Sequence, residues 1–132
     1  MKHLIFYLCI GLSVLACRQS GHAQDSELLD PKAFQKKIQE TEEMYLIDVR
    51  RPEEQSNGLL QEAQLINFFE HDFKEKLGAL DKQKTVMVYC ASGGRSAKTV
   101  AILKSFGFTQ VYELKGGIKA WKAQGLPVSY PQ

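Results

Sequence analysis

The sequence predicts an α/β fold in which a central parallel sheet carries helices on both of its faces. Short apolar runs alternate with longer amphipathic runs along most of the chain, and strand–helix–strand crossovers make neighbouring strands parallel. The apolar runs at residues 44–49 and 85–89 are nearly continuous, which is typical of strands buried on both sides. The 132 residues are 44% hydrophobic and 24% charged, which fits one soluble domain with its own core.

The predicted elements follow one another closely between residues 30 and 130, which we assign to one domain. Asp30 caps a helix that has Pro31 as its first residue and continues to about Glu40. Further strands are predicted at residues 63–67 and 110–114, in addition to 44–49 and 85–89. A short helix is predicted from residue 51 to a break near residues 57–58. Longer helices are predicted at residues 72–80 and 96–106, and a last helix follows the glycines at 116–117. The carboxyl ends of parallel strands form the usual ligand-binding edge of such a sheet.

The first sixteen residues resemble a secretory signal peptide. Lys2 precedes an apolar stretch that is too short to span a bilayer comfortably. Ala16 stands directly before Cys17, as in the bacterial lipobox, and this resemblance implies that Cys17 becomes the lipidated first residue of the mature protein. The alternative is an ordinary signal peptide cleaved after Ala23. Either way we expect export to the bacterial cell envelope, in the periplasm or at the cell surface, with residues 17–29 as the lipidated cysteine and a flexible tether.

The number of cysteines restricts what Cys90 does. Cys9 lies in the signal segment and Cys17 is expected to carry lipid, so Cys90 is the single free thiol of the predicted mature protein. An unpaired cysteine in an oxidising compartment favours a reactive role over a packing role. No histidine, cysteine and carboxylate cluster has metal-ligand spacing, so we expect neither a metal nor a cofactor. A net charge of +2 gives no indication of nucleic-acid binding, and we expect a monomer.

The segment of residues 90–96, Cys-Ala-Ser-Gly-Gly-Arg-Ser, joins a predicted strand to a predicted helix. Gly93 and Gly94 allow successive backbone N–H groups to point at one spot, and the helix start adds partial positive charge there. Arg95 is expected to add a full charge, and together these favour the thiolate of Cys90. The alternative is an inert buried cysteine before an ordinary turn. Asp48 and the turn at residues 115–117 end neighbouring strands and are expected at the same edge.

Several short motifs follow one another along the chain. They are Asp48-Val49-Arg50, Pro52-Glu53-Glu54, Ile66-Asn67, Tyr89 with Cys90 to Ser96, and Leu114-Lys115-Gly116-Gly117-Ile118 with Trp121. In these motifs and in their order, the chain resembles the single-domain rhodanese family of sulfurtransferases. The resemblance implies that Cys90 takes sulfane sulfur from thiosulfate, polysulfide or a persulfide, becomes a persulfide, and passes the sulfur to a thiol or cyanide. It also implies that the backbone of Ala91, Ser92, Gly93, Gly94, Arg95 and Ser96 holds this anion. Asp48 and Arg50 are then expected to brace the edge through an ion pair.

The resemblance implies an enzyme of the thiosulfate sulfurtransferase class, and three other functions are possible for a cysteine in such a loop. Cysteine phosphatases place an arginine six positions after the cysteine, whereas Arg95 follows Cys90 by five, which favours a sulfur-sized ring. A binding module without chemistry is disfavoured because both residues are intact. The remaining alternative is a membrane-tethered sulfur carrier or thiol-redox module that serves a protein thiol partner without fast turnover. The chain departs from the family pattern at two places. Relatives that specialise in thiosulfate often carry cations in this loop, so the uncharged Ala91 and Ser92 predict weak use of thiosulfate. Leu59 stands where many relatives carry a histidine.

Overall fold

A five-stranded parallel sheet forms the centre of the computed structural model, which describes residues 25–132. Its strands are β1 (Asp25–Leu29), β2 (Met44–Asp48), β3 (Gln64–Leu65), β4 (Thr85–Tyr89) and β5 (Gln110–Leu114). They lie in the order β1-β5-β4-β2-β3, and each neighbouring pair is parallel. The predicted α/β fold is therefore confirmed. The predicted signal peptide and Cys17 lie outside the described residues.

Helices cover both faces of the sheet and produce two separate cores. The helices are α1 (Pro31–Glu40), α2 (Phe73–Gly78), α3 (Gly94–Ser105) and α4 (Gly117–Ala123), and a 3₁₀ helix covers Pro52–Asn57. One core packs α2 and α3 against the sheet through Phe73, Leu77 and Leu103. The other packs α1 and α4 through Phe34, Ile118 and Trp121. Because side chains alternate along a strand, the three inner strands β2, β4 and β5 supply both cores.

The first strand was not predicted. Residues Asp25–Leu29, assigned above to the flexible tether, pair in parallel with β5 along its whole length. Leu28 is 54% exposed, so the strand is held mainly by backbone hydrogen bonds and carries little hydrophobic pattern. The Lys115 N–H also donates to the Leu29 carbonyl at 2.8 Å. The folded unit therefore starts at least five residues before the predicted boundary at residue 30.

Helix α3 begins at Gly94, two residues earlier than predicted. Gly93 has φ of 115°, a left-handed conformation that glycine adopts without strain, and this allows the chain to enter the helix at once. Arg95 and Ser96 consequently lie in the first helical turn. Cys90 directly follows β4, the central strand, so that the carboxyl ends of β2 and β5 flank it. Within residues 25–132, no helix is both long and apolar enough to cross a membrane.

Candidate active site

The thiol of Cys90 lies at the floor of the loop between β4 and α3. The residue is 1% exposed and belongs to the core that packs under α3. The Gly93 N–H donates to its Sγ at 3.1 Å, because the left-handed backbone of Gly93 turns this amide inward. The protein therefore covers the sulfur almost completely.

Hydrogen bonds to the sulfur favour the thiolate. Burial opposes ionisation of Cys90, but the Ser96 hydroxyl and the backbone N–H groups of Ser96, Gly93 and Ser92 outweigh it and lower the pKa of the Cys90 thiol. The start of α3, a helix of twelve residues, adds its partial positive charge at the same place. The backbone N–H groups of Ser92, Gly93 and Ser96 are thus directed at the sulfur of Cys90.

Ser96 connects the thiol to a carboxylate that the sequence analysis missed. Its side chain is fully buried, and its Oγ lies 3.4 Å from Cys90 Sγ. The same hydroxyl lies 2.8 Å from Glu113 Oε1 and 3.2 Å from the Gly93 carbonyl oxygen. Burial raises the pKa of Glu113, while its hydrogen bond with Ser96 acts in the other direction. A single acidic residue within the apolar strand at residues 110–114 was the available signal.

Arg95 makes a different contact from the one expected. Its Nη1 and Nη2 donate to Glu54 Oε2 and Oε1 at 2.7 and 2.9 Å, in a two-pronged ion pair. The hydrogen bond from Arg95 is the largest factor that lowers the pKa of Glu54, to about 2, so the pair is ionised at neutral pH. Arg95 is charged, as the sequence analysis expects, but its charge lies directly beside a carboxylate. The carboxylate of Glu54 neutralises most of that charge, and sequence analysis did not assign it a role.

The predicted ion pair between Asp48 and Arg50 is present and buried. Arg50 Nη2 donates to Asp48 Oδ2 at 2.7 Å and Nε to Oδ1 at 2.9 Å, with the side chains 3% and 0% exposed. Arg50 also donates to the carbonyl oxygens of Glu54 and Gly58. These bonds fasten the 3₁₀ helix to the end of β2. Arg50 thereby places Glu54, which in turn orients Arg95.

Tyr89 completes this buried network, a role that the sequence analysis did not assign to it. Its hydroxyl donates to Asp48 Oδ2 at 3.0 Å and accepts the Leu60 N–H at 3.1 Å. Burial raises the pKa of Tyr89 far above the neutral range, so that the hydroxyl stays protonated. Leu59, where many relatives carry histidine, forms two backbone hydrogen bonds with Ser129. The loop after the 3₁₀ helix is thus held by its backbone, without a side chain from position 59.

The start of α4 supports the active-site loop from below. The N–H groups of Ile118 and Lys119 donate to the carbonyls of Cys90 and Ala91 at 2.9 and 3.1 Å. Gly117 approaches so closely that a Cβ there would lie 2.4 Å from the Ala91 carbonyl oxygen. Because α4 binds the carbonyl side of the loop, the N–H side of the loop remains available to the sulfur and its ligands.

The predicted loop residues therefore converge, together with charged residues from other elements. Ala91 is half-buried and Ser92 is exposed at the opening, so neither brings a charge to it. In the described part of the chain, no group of three histidine, cysteine or acidic residues is arranged to hold a metal ion. A cleft of about 560 Å³ lies between α1 and Trp121, away from Cys90.

Comparisons with known proteins agree with this geometry. The family model described as "Rhodanese-like domain" matches residues 30–124. A sulfurtransferase of Allochromatium vinosum is 32% identical over 104 residues, which cover 79% of this chain and 95% of that protein. The putative sulfurtransferase YtwF of Bacillus subtilis is 39% identical over 95 residues, which cover 72% of this chain and 89% of that protein.

Solved structures show the same fold. The crystal structure of a rhodanese-related protein from Thermoplasma volcanium superposes with a TM-score of 0.70 at 28% identity, covering 80% of this chain and 99% of that one. A rhodanese-like domain protein from Staphylococcus aureus gives a TM-score of 0.67 at 26% identity, and the match covers 80% of this chain and 99% of that one. The named relatives support sulfur transfer in general as the activity. The chain belongs to the rhodanese-like domain family.

Proposed function

We propose that this protein is a rhodanese-type sulfurtransferase in which Cys90 carries the transferred sulfur as a persulfide. The observation that supports it most is the set of donors directed at one sulfur atom, in which the Gly93 N–H lies 3.1 Å from Sγ. These donors lower the pKa of Cys90 in spite of burial. A nucleophilic thiolate and a place for a small sulfur anion are what a two-step transfer requires.

In the first proposed step, the Cys90 thiolate attacks the outer sulfur of the donor. The new bond is Cys90 Sγ–S, and the donor's own bond to that sulfur breaks with its electron pair, so that thiosulfate leaves as sulfite. The backbone N–H groups of the loop stabilise the anionic persulfide, as an oxyanion hole stabilises an oxygen anion. In the second step, cyanide or a thiolate attacks the outer sulfur, and the Cys90 thiolate is restored as the leaving group.

The rate of turnover distinguishes the proposed enzyme from the alternative function, a sulfur carrier without fast turnover. With thiosulfate or a polysulfide as donor and cyanide as acceptor, we expect steady thiocyanate formation with ping-pong kinetics. Cys90→Ser should reduce the rate to that of the uncatalysed reaction. If Cys90 takes up one sulfur atom but the resulting persulfide transfers it to neither cyanide nor small thiols, the result would support the carrier instead. The absence of loading with every donor would contradict both functions.

The neutral Arg95–Glu54 pair supports a donor other than thiosulfate. Glu54 cancels the charge that would attract a dianion, and Ala91 and Ser92 add none. An organic persulfide or polysulfide carries at most one negative charge on its sulfur chain and therefore loses less from this neutrality than the thiosulfate dianion does. We propose such a compound as the physiological donor, with a high KM for thiosulfate, and a micromolar KM would contradict this.

Glu54→Gln should shift selectivity towards thiosulfate. Removal of one negative charge beside a dianion is worth ~1 kcal/mol in water-like surroundings, or about five-fold in kcat/KM. The measured quantity is the ratio of kcat/KM for thiosulfate to that for an uncharged organic trisulfide, because effects on the thiolate cancel in the ratio. The gain should shrink as salt is added. The exposed neighbour Glu53→Gln is the matched control, and equal ratios for both variants would contradict the argument.

The location of the domain is a separate proposal that depends on residues 1–17. We propose export and a lipid on Cys17, which would hold the catalytic domain at a bacterial membrane. Cys17→Ser should then move the protein from the membrane fraction to the soluble fraction of cells, without a change in the sulfur chemistry. Unchanged fractionation would contradict the anchor and leave the enzymatic proposal intact.

A further inference from the structure

Glu113 is a half-buried titratable group that the proposed transfer steps do not use. It lies on β5, where Tyr112 and Leu114 belong to the core under α1 and α4. Val111 belongs to the other core, so alternation along the strand places Glu113 on the side of α3. There its Oε1 lies 2.8 Å from the Ser96 hydroxyl oxygen, which lies 3.4 Å from Cys90 Sγ.

Ser96 has one hydroxyl proton and three neighbouring acceptors, namely Glu113 Oε1 at 2.8 Å, the Gly93 carbonyl oxygen at 3.2 Å and Cys90 Sγ at 3.4 Å. The exchange proposed here concerns the first and the last of these. When Glu113 is ionised, the hydroxyl donates to the carboxylate, and its oxygen is then able to accept the S–H of Cys90. When Glu113 is protonated, the carboxylic acid donates to Ser96, and the hydroxyl is released to donate to the thiolate. The orientation of one fully buried hydroxyl therefore links the proton on Glu113 to the charge on Cys90.

We propose that Glu113 accepts the proton of Cys90 through the Ser96 hydroxyl and so sets the charge state of the nucleophile. The thiol proton passes to Ser96 Oγ while the serine proton passes to Glu113 Oε1. The products are a thiolate, an intact serine hydroxyl that now donates to Sγ, and a neutral carboxylic acid. The net result of the two transfers is one proton moved from Cys90 to Glu113, the total charge is unchanged, and no other reactant is needed. Glu113 acts through Ser96, so it is a positioning residue, and its part in turnover rests on the proposed function.

The surroundings of Glu113 suit this exchange. Burial raises the pKa of Glu113, and hydrogen bonds lower the pKa of Cys90, so the proton affinities of the two groups approach each other. Glu113 also borders a hollow of about 180 Å³ through which it is able to exchange protons with solvent. Two other charged residues line this hollow, Glu27 from β1 and Lys104 from α3. The remaining lining residues are Ser26, Leu28 and Val100.

Alkylation of Cys90 tests the link without any sulfur donor. The rate of reaction with iodoacetamide is followed against pH, by mass spectrometry of the peptide that contains Cys90. Two interacting groups titrate in two macroscopic steps, so the wild-type profile should show two. Glu113→Gln should leave one step, about one pH unit below the upper wild-type step, because a like charge has been removed. Ser96→Ala should also leave one step, but at higher pH than in Glu113→Gln, because the sulfur has lost a donor.

Glu27→Gln is the matched control, since it removes a carboxylate from the same hollow without touching Ser96, and its profile should equal that of the wild type. Thermal melting checks that each variant is folded. If Glu113→Gln does not fold, the pH profile of Ser96→Ala alone tests the proposal. A Glu113→Gln profile that coincides with the wild-type profile, or two steps that persist in Ser96→Ala, would overturn the proposal. Because no sulfur is transferred, this outcome is independent of whether the protein is a sulfurtransferase.

Discussion

Gly117→Ala is expected to destabilise the protein by about 3 kcal/mol and to remove most of its sulfur-transfer activity. The added Cβ would lie 2.4 Å from the Ala91 carbonyl oxygen and 2.6 Å from that of Cys90, both backbone atoms with little room to move. Overpacking of this kind costs about 1–3 kcal/mol. The φ of 62° adds roughly 1–2 kcal/mol for a residue with a side chain. Urea unfolding of the variant and the wild type measures the difference in the free energy of unfolding, which contains both contributions.

Gly125→Ala separates the two contributions. Gly125 has a similar φ of 69°, but no atom lies within 4 Å of the position that a Cβ would occupy. This variant should lose only the backbone contribution, about 1 kcal/mol, and keep its activity. Relief of the clash in Gly117→Ala must displace the loop that holds Cys90, so its loss of kcat should exceed what the unfolded fraction explains. Equal destabilisation of both variants would show that the contact between α4 and the loop is unimportant.

Arg50→Ala is expected to lower the free energy of unfolding by about 3–5 kcal/mol, because it leaves Asp48 as an unpaired charge in a fully buried position. It also removes the donors that hold the carbonyl of Glu54 within the 3₁₀ helix and the carbonyl of Gly58 directly after it. Activity should fall even under conditions where the variant is folded, since Glu54 would no longer be fixed against Arg95. Denaturant unfolding and a thiocyanate assay at low temperature measure the two effects.

Arg51→Ala is the control for Arg50→Ala, as the adjacent arginine is exposed and its guanidinium lies over the Phe69 ring at 4.5 Å. Its loss should cost less than ~1 kcal/mol. The double variant Asp48→Asn with Arg50→Met should be more stable than Arg50→Ala, because neither charge is then left alone. A double variant as unstable as Arg50→Ala would mean that the ion pair is not the source of the effect.

The parts of the site that the sequence predicts correctly are local ones. Continuous apolar runs specify β4, and Gly93 with Gly94 specifies the loop that holds Cys90, because these features depend on neighbours in the chain. The pairing of Asp48 with Arg50 also has a local cause, since the two lie two residues apart at the end of β2.

The parts that were missed depend on contacts between distant segments. Glu54 and Arg95 are 41 residues apart, and the 3₁₀ helix that brings them together is positioned by Arg50 rather than by a hydrophobic pattern. Glu113 looks like an ordinary polar interruption of a strand until α3 places Ser96 beside it. Strand β1 has almost no apolar pattern, and its position is specified by the backbone groups of β5 with which it pairs.

The central claim is that Cys90 carries sulfur, and intact-mass spectrometry after exposure to polysulfide or thiosulfate tests it most directly. We predict a gain of one sulfur atom, about 32 Da, that maps to the Cys90 peptide, disappears on addition of cyanide, and does not form in Cys90→Ser. A gain that persists in Cys90→Ser, or no gain with any donor, would contradict the account.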